Sequence, residues 1–97
     1  MGNEDAVKRF NTIFVEQTIG IDLLKLKQSA GSNDWKGVQG AAHKMKPSVE
    51  LYQIRRSLEI IRQLDQLNDT PSDPQMFLIL IEELEQELAV VRKQLTT

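Results

Sequence analysis

The sequence predicts an all-α fold, an antiparallel bundle of four helices, and three observations carry that prediction. Apolar residues recur at three- and four-residue intervals along four stretches, the breaks between them are built from Gly, Ser, Asn, Asp and Pro, and no run alternates as a half-buried strand would. Amphipathic helices joined by short connections each bury one stripe against the others. A coiled-coil dimer is the competing architecture, but Gly20, Gly31, Pro47 and the loop at 71–74 interrupt the spacing before any heptad is sustained.

The first helix is expected from about Asp5 towards Ala30, with Val7, Phe10, Ile13, Phe14, Ile21 and Leu24 as its stripe and Gly20 as a bend. Gly31-Ser32-Asn33 ends it and opens the next, since Gly suits the residue after a helix and Ser or Asn can cap a new one. The second helix begins near Asp34 and gathers Trp35, Val38, Ala42, Met45 and Val49 on one face. An irregular patch at Leu51-Tyr52-Gln53 turns the chain, and Ile54, Leu58, Ile61 and Leu64 carry the third helix. Residues 68–74 form a loop by composition; Asp73 as N-cap and Pro74 as the first helical residue open the last helix. Its buried stripe is Phe77, Leu80, Leu84, Leu88, Val91 and Leu95, and Glu82, Glu83, Glu85, Gln86 and Glu87 form its wet side. Trp35 and Tyr52 read as packing residues that bury an apolar body and keep a polar tip wet.

Ninety-seven residues make one small domain, 1–97, too short for a nucleotide-binding fold with a second domain. The chain has no cysteine, which excludes disulfides and thiolate metal sites. No apolar run approaches the ~20 residues of a membrane span, and the amino terminus lacks a signal-peptide layout, so a cytoplasmic location is expected. Met1-Gly2 is read as an ordinary start, because Ala6 stands where a myristoylation pattern needs Ser or Thr. Net charge is −2, but residues 36–62 hold six basic side chains against two acidic ones, a local +4, whereas the chain from 63 onward carries −5. That basic middle favours an anionic partner. An acidic protein pocket fits better than nucleic acid, for the chain is acidic overall and has no basic stripe interleaved with aromatics.

His43, the sole histidine, lies roughly 140° around the helical wheel from the centre of the apolar stripe. Its neighbours one turn away are Gly40 and Pro47, both compact, with Gln39 and Lys46 beside them. One histidine without cysteine is a poor basis for a metal site, a nucleophile elbow for a Ser-His-Asp hydrolase is missing, and no Gly-rich phosphate loop is present. An exposed imidazole can still attack an activated phosphoryl group and hold it as a phosphoramidate. Lys46 would neutralise phosphoryl oxygens, and Gln39 would donate to the ring or to the phosphate. The plainer alternative makes His43 a solvated surface residue between two lysines.

The run His43-Lys44-Met45-Lys46-Pro47-Ser48 resembles the pattern His-x-(Leu/Met)-Lys-Gly-(Ser/Ala) of histidine-phosphotransfer domains, the four-helix carriers of bacterial and plant phosphorelays. Asn33-Asp34-Trp35 is similar to the Asp-Trp that opens their phosphoacceptor helix, and Ala41-Ala42 to the small residues before the histidine. The resemblance covers most of the chain through its last helix. It implies that His43 is the phosphoacceptor and Lys46 its electrostatic partner, that Lys36, Gln39, Gly40 and Pro47 lie where a receiver domain docks, and that the domain holds no cofactor of its own because the receiver supplies Mg²⁺. It further implies a monomeric phosphocarrier, working with receiver domains of response regulators or hybrid sensor kinases, without nucleotide chemistry of its own. In chemotaxis-kinase relatives a glutamate fixes the histidine's tautomer, and Asp65, on the apolar side of the third helix, resembles it; otherwise Asp65 faces water or Arg62.

Two departures accompany the resemblance. Pro47 replaces the family's glycine, removes the N–H that would bond the His43 carbonyl, and is expected to kink or end the helix. If the helix ends there, His43 lies in a final turn whose carbonyls favour a cation. No glycine occurs at 50–53, where the family often turns. The rival function is a helical protein-interaction module in which His43 is incidental.

Overall fold

The computed structural model describes residues 2–96, so the reading of Met1 as an ordinary start falls outside the described residues. Four helices and no strand are present among them. Helix α1 covers 2–31, as an α-helical segment Gly2–Ile13, a wider π-type stretch Phe14–Asp22 and a second α-helical segment Leu23–Gly31; α2 is Trp35–Leu51, α3 Arg55–Asp65 and α4 Pro74–Leu95. No helix is long and apolar enough to cross a membrane among the described residues.

The α2 stripe is buried as its spacing requires: Trp35, Val38, Ala42, Met45 and Val49 are all in the core, beside Leu26 of α1, Ile60, Ile61 and Leu64 of α3, and Ile81, Leu84 and Leu88 of α4. Each fully buried aliphatic side chain of this kind contributes about 2 kcal/mol before conformational entropy is counted. The α4 stripe also packs inward, with Phe77, Leu80, Val91 and Leu95 half-buried against the same cluster. Phe77 meets Trp35 edge-on at 6.4 Å, and Tyr52 stacks on Phe14 at 4.2 Å while its hydroxyl donates to Asn11 Oδ1 at 2.7 Å. Trp35 Nε1 is buried rather than wet.

The expected α1 stripe is corrected. Phe14 is buried, but Val7, Phe10, Ile13, Ile21 and Leu24 are exposed, and the inward residues are Phe14, Thr18, Ile19, Asp22, Leu23, Leu26 and Ala30. Two causes act together. A π-type turn, in which the Leu23 N–H reaches Thr18 O five residues back, rotates every later side chain relative to a 3.6-residue wheel. The other helices pack on α1 mainly from Phe14 onward, which leaves the turns at Val7, Phe10 and Ile13 beyond the core.

Both turns next to α2 are Schellman motifs, and neither uses glycine. After α1, Asn33 takes the left-handed conformation (φ 56°), its N–H reaching Ala30 O at 3.1 Å and the Asp34 N–H reaching Ser29 O at 2.8 Å. Gly31 is instead the last helical residue, and the cap of α2 is Asp34, accepting from Gly37 N–H at 3.0 Å, rather than Ser32 or Asn33. After α2, Gln53 (φ 55°) does what glycine would, with N–H bonds from Gln53 to Glu50 O at 3.0 Å and from Ile54 to Val49 O at 3.5 Å. Helix α2 does not end at Pro47; it runs on to Leu51, which puts His43 in mid-helix and away from terminal carbonyls.

The N-cap residue of α3, Ile54, has no side-chain acceptor to offer. Glu87 of α4 supplies one across the core: its Oε1 accepts from the Ser57 N–H at 2.7 Å and from the Ser57 hydroxyl. Glu87, expected on the wet side, is therefore half-buried and structural, and Arg56 ties the same helix end to Glu83. Because Ser57 is fully buried, Glu87→Ala strands an N–H and an O–H and is expected to cost about 2 kcal/mol. A lowered denaturant midpoint, with His43 NMR signals unmoved, is the expected measurement.

Candidate functional site

Burying positions 35, 38, 42, 45 and 49 of α2 leaves Gln39, His43 and Lys46 on a second line, spaced i, i+4 and i+7, at the rim of the α2–α3 seam. Directly across that seam lies Asp65, the last residue of α3. The three α2 side chains converge on it. His43 Nδ1 is 3.0 Å from Asp65 Oδ1, Gln39 Nε2 donates to the same oxygen at 3.0 Å and to the Asp65 carbonyl at 3.2 Å, and Lys46 Nζ donates to Oδ2 at 3.4 Å.

The two members of the His–Asp pair differ sharply in access: 71% of the His43 side chain is exposed against 14% of Asp65. Burial of Asp65 works to raise its carboxyl pKa and is the largest single influence. The bonds from Gln39, His43 and Lys46 together outweigh it, so the group sits below its ordinary value and is ionised at neutral pH. An ionised carboxylate only accepts hydrogen bonds, so a neutral His43 places its proton on Nδ1. Nε2 then carries the free lone pair on the exposed ring.

The surroundings of the ring are open. Gly40 and Pro47 are exposed, and a Cβ built on Gly40 meets nothing within 4 Å. The fold therefore does not require glycine at that position. Gly37 is different, because a Cβ there would run into the side chains of Asp34 and Ser29, which would have to shift to admit it. Lys36 is exposed one turn before Gly40, and Lys44 reaches back to the buried Asp22 at 3.6 Å.

Sequence reasoning set Gln39 and Lys46 beside His43 and, through the resemblance, offered Asp65 as the acid that orients the ring; in the structure the side chains of Gln39, His43 and Lys46 meet at Asp65. The Gln39 amide is committed to Asp65 rather than offered to the ring, and Lys46 bonds the same carboxylate. Asp22, at the end of the π stretch, was not singled out, and it is buried on the row of Phe14, Thr18 and Leu26. Among the described residues no group of three His or carboxylate side chains is arranged to hold a metal ion.

The depressed Asp65 pKa sets a pH dependence. The unfolded carboxyl titrates near 3.8, so the stabilisation that Asp65 gains from its donors is complete above that value and is lost as pH falls through the lower folded-state pKa. Denaturation of wild type and Asp65→Asn is expected to differ at pH 7, with the gap closing as the solution is acidified below the ordinary carboxylate range.

Compared with known proteins, the chain matches no family model, no curated protein and no solved structure.

Proposed function

We propose that this chain is a histidine phosphotransfer intermediate, accepting a phosphoryl group on His43 from the aspartyl phosphate of a receiver domain and passing it to another receiver. The observation that carries the proposal is the pairing of an exposed imidazole with a shielded carboxylate on its Nδ1, which leaves Nε2 as an accessible nucleophile. On this reading the four helices form an antiparallel bundle like that of histidine-phosphotransfer domains, and the fold contributes a rigid platform while the receiver contributes Mg²⁺ and the rest of the catalytic machinery.

In the forward step the His43 Nε2 lone pair attacks phosphorus in line, the N–P bond forms, and the P–O bond to the receiver's aspartate breaks, returning that carboxylate with the bonding electrons. The ring gains positive charge, which Asp65 stabilises through Nδ1–H without taking the proton, as the orienting carboxylate of a hydrolase triad does. The reverse sequence discharges the phosphoryl group onto the second receiver. Lys46, 3.4 Å from Asp65, stands three residues from His43 and is the cation nearest in sequence on that line of the helix to meet phosphoryl oxygens. Gly40 supports the docking half of the reading: mid-helix glycine costs ~1 kcal/mol relative to alanine, and no internal contact here calls for it, so close approach by a partner supplies a reason.

The test is incubation with a phosphorylated receiver and Mg²⁺, following acid-labile, base-stable label. Wild type is expected to gain label and His43→Gln none; equal labelling of the two across several receivers would leave the helical interaction module as the better reading. Lys46→Ala is expected to keep its fold and to slow transfer about tenfold, a modest effect because water screens a half-exposed ammonium. Stopped-flow quenching against the same receiver measures it.

A further inference from the structure

We infer that Gln39 is a positioning residue for His43, acting through Asp65 to keep the ring in the tautomer whose Nε2 is free. The inference rests on the relay reading for its consequence and on geometry for its cause. Asp65 closes α3, so its backbone carbonyl has no intrahelical donor and its side chain sits where helix ends fray. Gln39 Nε2 spans both groups, donating to the carbonyl at 3.2 Å and to Oδ1 at 3.0 Å. A single amide nitrogen that holds a residue's main chain and side chain together restricts the Asp65 χ1 torsion, and Oδ1 is the oxygen facing His43 Nδ1 at 3.0 Å.

The division of labour around the carboxylate supports this assignment. Lys46 takes Oδ2, whereas Gln39 and His43 share Oδ1, so the amide and not the ammonium fixes the oxygen that the ring uses. Glutamine suits the task because it donates without adding charge: a second cation against Oδ1 would compete with the imidazolium that forms during transfer, and a carboxylate there would repel Asp65. Gln39 is half-buried and the His43 ring is mostly exposed, so its hydrogen bond to Asp65 is a principal restraint on the ring's orientation. A free imidazole side chain favours the opposite tautomer, with the proton on Nε2, and that form has no lone pair on the exposed nitrogen with which to attack.

The experiment reads the tautomer directly. In the ¹⁵N-labelled chain, two-bond nitrogen–proton correlation at a pH where the ring is neutral is expected to show wild-type His43 with Nδ1 protonated and Nε2 bare. Gln39→Met, which keeps the packing and loses the donor, is expected to shift at least half of the ring population to the Nε2–H form; Gln39→Ala serves as the second variant, and Asp65→Ala, which removes the acceptor, as the upper limit of the shift. Transfer from a phosphorylated receiver then falls roughly two- to fivefold in Gln39→Met, in proportion to the competent fraction. A wild-type tautomer pattern in both folded Gln39 variants overturns the inference whatever the transfer assay gives. A wild-type chain that takes no label overturns the relay instead, and the tautomer measurement still decides whether Gln39 positions the ring.

Discussion

One carboxylate organises the polar rim of the α2–α3 seam. Asp65 lies where α3 stops, at the seam with α2, and receives an amide, an imidazole and an ammonium from three successive turns of the facing helix. Most exposed ion pairs contribute little, because water competes and long side chains lose entropy. Here the acceptor is shielded and its donors are pre-spaced by a helix whose opposite face is locked in the core, so the geometry is inherited from packing and not purchased by the pair itself. The exposed ring is ordered from beneath while its outer nitrogen stays open.

That arrangement also fixes the roles of the polar residues around it. A donor such as Gln39, already engaged twice with Asp65, acts on the ring only indirectly. Lys46 is held near the ring by the same acid, which on the relay reading keeps a positive charge close by until phosphoryl oxygens compete for it. The mid-helix position of His43 follows from α2 running through Pro47 to Leu51, although Pro47 has no N–H to donate to the His43 carbonyl.

The structural polar contacts elsewhere follow the same logic of one helix completing another. Glu87 caps α3 from α4, and the Schellman turns at Asn33 and Gln53 accept a left-handed residue without glycine because flanking helices fix both ends of each turn. The α1 helix shows the converse: where no neighbour packs, Val7, Phe10 and Ile13 keep a periodic apolar face in water.

The sequence by itself determined the helical class, the α2 stripe, the start of α4 at Asp73-Pro74 and the outward direction of His43, because a strong 3.6-residue period and local caps depend only on neighbours along the chain. It also drew notice to Asp65 through periodicity and resemblance. Tertiary structure alone decided which side of α1 faces inward, since the π-type stretch resets the phase, and it alone joined Gln39, His43 and Lys46 to Asp65 across separations of 26, 22 and 19 residues. Hydrogen bonds between residues so far apart leave no periodic trace in a single chain. They exist only once packing has brought two helix surfaces within 3 to 4 Å of one another.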